Sequence, residues 1–299
     1  MKDKVLVLDF GGSFLKYALI DDKFNFYHKS IVETPNKNEE IFVATIRKIY
    51  ETYKDEIRGI GISLGGKINS QTGIVMSSGQ FPFFNGRSIT KILSELIPIK
   101  ITVENDGICA GLAEYKEGSL KGCQNALVVI FGTGIGGAAI LDGKFYKGTR
   151  NCGVEFSLLR SYSKSSLNHT WFMYGGSATG LINIARELGL PNDIDGLKLF
   201  ELVHSGDEKA IAALDKYCDI CIVYLYNLQA IFDVETIAIG GGISNQKILI
   251  DKLNEKLKAM FDSEAKYQLP PTMPRLISCK YKNDANLIGA YLVHILENY

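Results

Sequence analysis

Val5-Leu6-Val7-Leu8-Asp9-Phe10-Gly11-Gly12-Ser13 and Ala126-Leu127-Val128-Val129-Ile130-Phe131-Gly132-Thr133-Gly134-Ile135-Gly136-Gly137 read as two copies of one pattern. Each is an apolar run of strand length that stops at glycines. Each leads into a second strand-like run, residues 16–20 and 138–141, and then into an acidic tip, Asp21-Asp22 and Asp142-Gly143. A strand, glycine turn, strand and acidic tip used twice, roughly 120 residues apart, is too widely spaced for a solenoid. It suits two similar domains facing each other across a candidate cleft.

The rest of the chain is consistent with a mixed α/β class. A third strand is expected over 24–31, then a helix over 39–53 with Ile41, Phe42, Thr45, Ile46 and Ile49 on one face, then a strand over 59–63. A strand over 99–103 precedes a helix over 108–116. The last third is helical over 178–188, 196–205 and 208–232. It is broken by a buried strand, 234–239, that runs into Gly240-Gly241-Gly242-Ile243-Ser244, where a helix with Leu249 on its apolar face is expected to begin.

The 299 residues hold 33 Lys+Arg against 33 Asp+Glu, and 46% are hydrophobic. That is enough apolar material for a substantial core, and it excludes disorder as the main state. Zero formal net charge leaves no electrostatic footprint for nucleic acid or an anionic membrane, so a small molecule is the expected partner. Lys2 and Lys4 run straight into a strand with no signal-peptide pattern, and the apolar stretch 126–141 is interrupted by glycines and too short to span a bilayer as a helix. A soluble cytoplasmic protein is expected, its six cysteines reduced. Cys218 and Cys221 have the spacing of a metal or redox pair, but they lie in a buried helical pattern without a second pair, and packing is the expected role.

Three glycine turns follow strands: 11–12, 132–137 and 240–242. Glycine lets a backbone come close to a ligand, and a strand, turn and helix in sequence leave N–H groups facing an anion. Neither the P-loop pattern nor a Rossmann fingerprint fits, which disfavours a dinucleotide. Glu104-Asn105-Asp106 stands between a strand end and a helix start, where α/β folds place active sites. Asp106 is a candidate general base on an alcohol, and the plainer alternative is that Asn105 or Asp106 only caps the helix. In Gly153-Val154-Glu155-Phe156-Ser157 a single acid stands among apolar and small residues, either a surface glutamate or a ligand-binding one.

These segments together resemble the ROK family of sugar kinases, within the actin-like, hexokinase-type ATPases, over nearly the whole chain. Asp9-Phe10-Gly11-Gly12-Ser13 is similar to the family's first phosphate motif, D-I-G-G-T, and Gly61-Ile62-Ser63-Leu64-Gly65-Gly66 to its sugar-side glycine loop. Glu104-Asn105-Asp106-Gly107-Ile108-Cys109-Ala110 resembles the N-D-A-N-x-A segment that carries the catalytic base. Gly132-Thr133-Gly134-Ile135-Gly136-Gly137 resembles the second phosphate motif, and Gly240-Gly241-Gly242-Ile243-Ser244 the adenosine-side motif. Two departures stand out: where G-E-x-G-H is usual the chain has Val154-Glu155-Phe156-Ser157-Leu158, and residues 160–177 lack the cysteines of the family's zinc segment.

The resemblance implies an actin-like, ribonuclease H-like fold. Residues 1–115 would form a smaller α/β domain, with a helix over about 284–299 packing back on it, and 116–283 a larger one. It implies ATP-dependent phosphorylation of the 6-hydroxyl of a hexose or hexoside of glucose, β-glucoside or N-acetylmannosamine type. Asp106 would be the base, and Gly65, Asn85, Asn105 and Glu155 would bind sugar. The nucleotide would be held by Asp9, Gly11, Gly12, Ser13, Lys16, Gly132, Thr133, Gly134, Gly136, Gly240, Gly241 and Gly242. ATP and Mg²⁺ are the implied cofactors, with Asp9 contacting Mg²⁺ indirectly and no zinc; a homodimer is the implied assembly. The alternative is a sugar-binding ROK-type regulator or pseudokinase. A regulator's DNA-binding domain would precede the first phosphate motif, and Asp9 has only eight residues ahead of it.

Overall fold

The computed structural model describes residues 2–151, 153–160, 170–172, 175–264 and 272–296. The chain divides into two compact units, one built from Met1–Glu117, Lys147–Gly153 and Asp284–Tyr299, the other from Gly118–Tyr146 and Val154–Asn283.

In the first unit, β1 (Lys4–Phe10), β2 (Phe14–Ile20) and β3 (Phe26–Glu33) form an antiparallel meander. After α1 (Glu39–Tyr53) the chain returns as β4 (Ile57–Leu64), parallel to β1. A small sheet of β5 (Lys67–Asn69), β6 (Ile74–Ser77) and β7 (Arg87–Ser88) and the short α2 (Ile89–Ser94) come before β8 (Lys100–Asn105), parallel to β4, and α3 (Asp106–Glu117). The main sheet therefore runs β3-β2-β1-β4-β8. β3 starts two residues later than its composition suggests, because the Asp21 carboxylate captures the Lys23 and Asn25 amides and Phe24 takes φ 60°, which prolongs the turn. On α1 the buried stripe is Phe42, Ile46, Ile49 and Tyr50, and Ile41 is 40% exposed. Phe42 decides that rotation by stacking on Phe10 at 4.7 Å.

The second unit repeats the plan. β9 (Ala126–Phe131), β10 (Ile135–Leu141) and β11 (Lys144–Phe145) form a meander. The helices α4 (Ala178–Glu187), α5 (Gly196–Ser205) and α6 (Glu208–Phe232) lead to β12 (Thr236–Gly240), parallel to β9. Then α7 (Lys247–Glu264) and β13 (Arg275–Ser278) complete a sheet ordered β11-β10-β9-β12-β13. Two glycine readings change. β10 starts at Ile135, three residues early, since Gly136 and Gly137 pair with Ile130 and Val129, so the turn is Gly132-Thr133-Gly134 alone. Beyond β12 the chain makes a 3-10 turn, Gly242–Asn245, before α7 begins at Lys247. Cys218 and Cys221 are buried free thiols on α6; burial pushes Cys218 up to about 12.

The last helix, α8 (Ala285–Ile295), returns to the first unit and lies on α3, β1 and β4. The approach is so close that a Cβ at Gly61 would overlap the Ala290 backbone and one at Gly289 the Cys109 backbone. No described helix is long and apolar enough to cross a membrane.

Candidate active site

The first unit gathers its charge chemistry at the carboxyl ends of β1, β4 and β8. Cross-strand register aligns Lys16, Asp9, Ser63 and Glu104 in one row. Asp9 is 4% exposed, with Oδ1 accepting from Ser63 Oγ (3.0 Å) and Asn286 Nδ2 (2.9 Å) and Oδ2 lying 3.9 Å from Lys16 Nζ. Burial pushes the Asp9 carboxyl above its ordinary range, against the opposing pull of Asn286, Lys16 and Ser63. Glu104 is 1% exposed, and its Oε2 accepts from Lys147 Nζ at 2.5 Å.

One residue on, β8 becomes α3. Asn105 caps the helix, its Oδ1 accepting from Ile108 N (3.1 Å) while its Nδ2 donates to Gly66 O (2.8 Å). The cap that both residues compete for in the sequence thus belongs to Asn105. Asp106 begins the helix with Oδ1 accepting from Gly107 N (2.9 Å), and its Oδ2 faces Gly65, 3.6 Å from where a Cβ would stand. Gln80 Oε1 lies 3.9 Å from the same point, its amide oriented by Nε2 donating to Gly11 O at 2.6 Å. Asn85 acts one step away: its Oδ1 accepts from Ser78 N (2.8 Å), and Ser78 Oγ donates to Gly65 O (2.8 Å). Gly65, Asn105 and Asp106 are therefore brought together, with Asn85 behind them.

The Gly11-Gly12-Ser13 turn is braced from outside, Thr34 Oγ1 donating to Gly11 O (2.7 Å) and Thr34 N to Ser13 O (3.0 Å). In the second unit Gly132 N donates to Gly134 O (3.0 Å), and Ala178 N at the start of α4 donates to Gly132 O (2.9 Å). Gly240 ends β12, Gly241 takes φ 89° with no room for a Cβ against the Phe131 backbone, and Ser244 Oγ donates to Gly241 O (2.8 Å). Gly12, Gly134 and Gly242 form a separate class. None has a positive φ, and a Cβ on each would meet nothing within 4 Å. Neither backbone conformation nor packing requires glycine at these three, one in each turn, and Gly79 and Gly196 share both properties. Thr133 is exposed in its turn, and Gly136 lies in β10, pairing with Ile130.

Glu155 is exposed, directly before a 3-10 turn over Phe156–Leu158, with Leu158 itself 59% exposed. The segment expected to lack zinc cysteines, residues 160–177, lies mostly outside the described residues. Among the described residues no group of three or more His, Cys, Asp or Glu is placed to hold a metal ion. Sequence reasoning missed Ser63, Gln80, Glu104, Lys147 and Asn286. Only Glu104 carries a local signal, an acid at the end of a strand pattern.

The sequence model of the ROK family matches residues 5–156 and 176–295. A β-glucoside kinase of Listeria innocua is 27% identical over 98% of this chain and 98% of its own. An N-acetyl-D-glucosamine kinase of Aliivibrio salmonicida is 24% identical over 96% of this chain and 98% of its own. Among solved structures, a ROK family protein of Streptococcus pneumoniae in complex with sucrose superposes with a TM-score of 0.85 at 27% identity, covering 97% of this chain and 96% of that one. A ROK glucokinase of Streptomyces griseus, in complex with glucose and AMPPNP, has a TM-score of 0.82 at 19% identity over 97% and 99% of the two chains, a likeness of fold. With its motifs in order and its two α/β units of the actin-like ATPase class, the chain belongs to the ROK family.

Proposed function

We propose that this protein is an ATP-dependent sugar kinase that phosphorylates the 6-hydroxyl of a hexose or hexoside, of glucose, β-glucoside or N-acetylmannosamine type. Membership of a family whose named relatives are sugar kinases supports the reaction class. The observation that carries the mechanism is Asp106 Oδ2 facing the bare backbone of Gly65, with Gln80 Oε1 beside it. Two acceptor oxygens around a glycine floor suit a hydroxyl that must give up a proton.

In this reading Asp106 accepts the proton of the attacking hydroxyl as the phosphoryl group moves, its Oδ1 fixed by the Gly107 amide. Asn105 Nδ2 spends one hydrogen on Gly66 O and keeps a second for a sugar oxygen, and Glu155 supplies a charged acceptor. The amides of the turns at Gly11-Gly12-Ser13 and Gly132-Thr133-Gly134 receive the phosphates, and Gly240-Gly241-Gly242 the adenosine side. Lys16 lies beside Asp9, where it balances charge on the phosphate side.

Mg²⁺ is bound through one or two carboxylates, several waters and substrate phosphates. Asp9 fits that donor set: its Oδ1 is held by two protein donors, while the Lys16 ammonium stands 3.9 Å from its Oδ2. When bound, the ion would neutralise charge developing on the transferring phosphoryl group. A cytoplasmic homodimer belongs to the same reading.

A coupled ADP-release assay with ATP and a panel of glucose, a β-glucoside, N-acetylmannosamine, fructose and allose tests the function. Turnover with at least one hexose is expected; ATP turnover that no sugar accelerates would contradict it.

A further inference from the structure

We infer that Lys147 is a positioning residue for the sugar side of the reaction, holding the loop ahead of Glu155 against the strand end that carries Asn105 and Asp106. The inference rests on the kinase reading above and assigns a part to two residues which that reading leaves idle.

Glu104 turns its carboxylate two ways. Its Oε1 accepts from Asn105 N at 2.7 Å, so it grips the backbone one residue before Asp106, and its Oε2 accepts from Lys147 Nζ at 2.5 Å. The same ammonium donates to Ser70 Oγ at 3.2 Å. Taking the Glu104 carboxylate out of water, with the Lys147 ammonium largely covered, is costly, and a well-packed apolar pair of similar size is often no less stable. Stability alone therefore gives a weak reason for the pair. A fixed geometry gives a better one.

Lys147 opens the segment Lys147–Gly153, which belongs to the first unit although both flanking stretches belong to the second. Gly153 N closes the loop on Lys147 O at 2.9 Å. The next residue, Val154, takes φ 66°, a left-handed conformation that a β-branched side chain adopts only where its surroundings impose it. Glu155 follows, and then Phe156, buried with its ring against Gly137. Along the chain the glutamate thus follows one anchor and precedes another. Downstream the anchor is an aromatic ring in an apolar core. Upstream it is the loop whose first residue is pinned by Lys147 to Glu104.

Removing the ammonium should loosen the upstream anchor and leave the nucleotide turns intact. In Lys147→Met the KM for the sugar should rise roughly tenfold or more with the KM for ATP within about twofold, a split that marks lost sugar binding. Lys147→Arg, which keeps charge and reach, should stay within about threefold of wild type. The double variant Lys147→Met/Glu104→Gln should lose no more than the worse single variant, since the two act as one unit. A sugar KM unmoved in Lys147→Met, or sugar and ATP constants rising together, would overturn the assignment. Should Lys147→Met fail to fold, the double variant, which buries neither charge, decides by the same split. Calorimetric titration of the same sugars runs in parallel. A wild type that binds sugar without phosphorylating it would refute the kinase reading while the Lys147→Met affinity still decides the anchor; a wild type that binds no sugar would refute both.

Discussion

The two units share a sheet topology and even a register, yet they use it in opposite ways. Asp9 pairs across the sheet with Ser63, and at the matching place in the second unit Ile130 pairs with Gly240. One copy holds a buried carboxylate with a hydroxyl, an amide and a lysine around it; the other holds an apolar side chain and a bare backbone. The difference teaches that a strand and glycine turn supply only a place for a ligand. What the place does depends on the side chain at the strand's last positions. In the first unit those positions gather charged and polar side chains, which the proposed reaction uses for charge, and in the second they leave backbone, which the same proposal gives to the nucleotide.

The comparison breaks most sharply at Asp9. Asp9→Asn keeps the shape and removes the charge, and kcat should fall about 100-fold, the order seen when one preorganised electrostatic group is lost. Ile130→Val should change kcat less than twofold, and steady-state kinetics on the two purified variants would expose an error if the two losses were alike. Next in size is Glu155→Gln, expected to raise the sugar KM roughly 10- to 100-fold, because a hydrogen bond to a charged group contributes about 1.5–3 kcal/mol. An unchanged sugar KM would leave Glu155 an ordinary surface residue.

The glycines sharpen the contrast within the second unit. Gly242→Ala and Gly134→Ala place a Cβ in open space, so the melting temperature should hold while the KM for ATP rises by about an order of magnitude. Gly241→Ala, at φ 89° against Phe131, should instead lower the melting temperature. Thermal melts read beside ATP kinetics would refute the ligand-approach argument if all three behaved alike.

Acid provides a test of stability instead of turnover. Burial, with Lys100 and Arg58 adding to it, draws His294 down to about 4 from 6.5. The neutral ring is favoured in the folded chain, so its contribution to stability is complete above pH 6.5 and falls as pH drops from 6.5 towards 4, by about 3 kcal/mol. His294→Gln should flatten that part of the stability–pH curve, measured by urea unfolding. The buried thiols of α6 in the second unit are held in the neutral form by burial and add no slope there.

Much of this was legible in the sequence because it is local. The limits of α5 and α6 follow from their own ends, where Asp195 and Asp207 cap the N-termini and Gly206 closes α5 at φ 88°. The Asp9 and Asp106 segments are equally local, an acid or a strand end next to glycine. The start of β10 was hidden because glycine usually marks a turn, and the Phe156 ring and Val128 carbonyl that leave no room for a Cβ at Gly137 come from elsewhere in the chain. The ring of partners was hidden for a different reason. Asn286 reaches Asp9 across 277 positions, and Lys147 reaches Glu104 across 43, and no periodicity records a contact made by folding.

The most direct test of the central claim compares wild type with Asp106→Asn in the presence of ATP, Mg²⁺ and the best sugar of the panel, with the product identified by phosphorus and proton NMR. A hexose or hexoside 6-phosphate is expected from wild type, formed roughly 10²- to 10⁴-fold more slowly by a folded Asp106→Asn that still binds sugar. A 6-phosphate made at near wild-type rate by the variant, or a phosphoester at another position, would contradict the account.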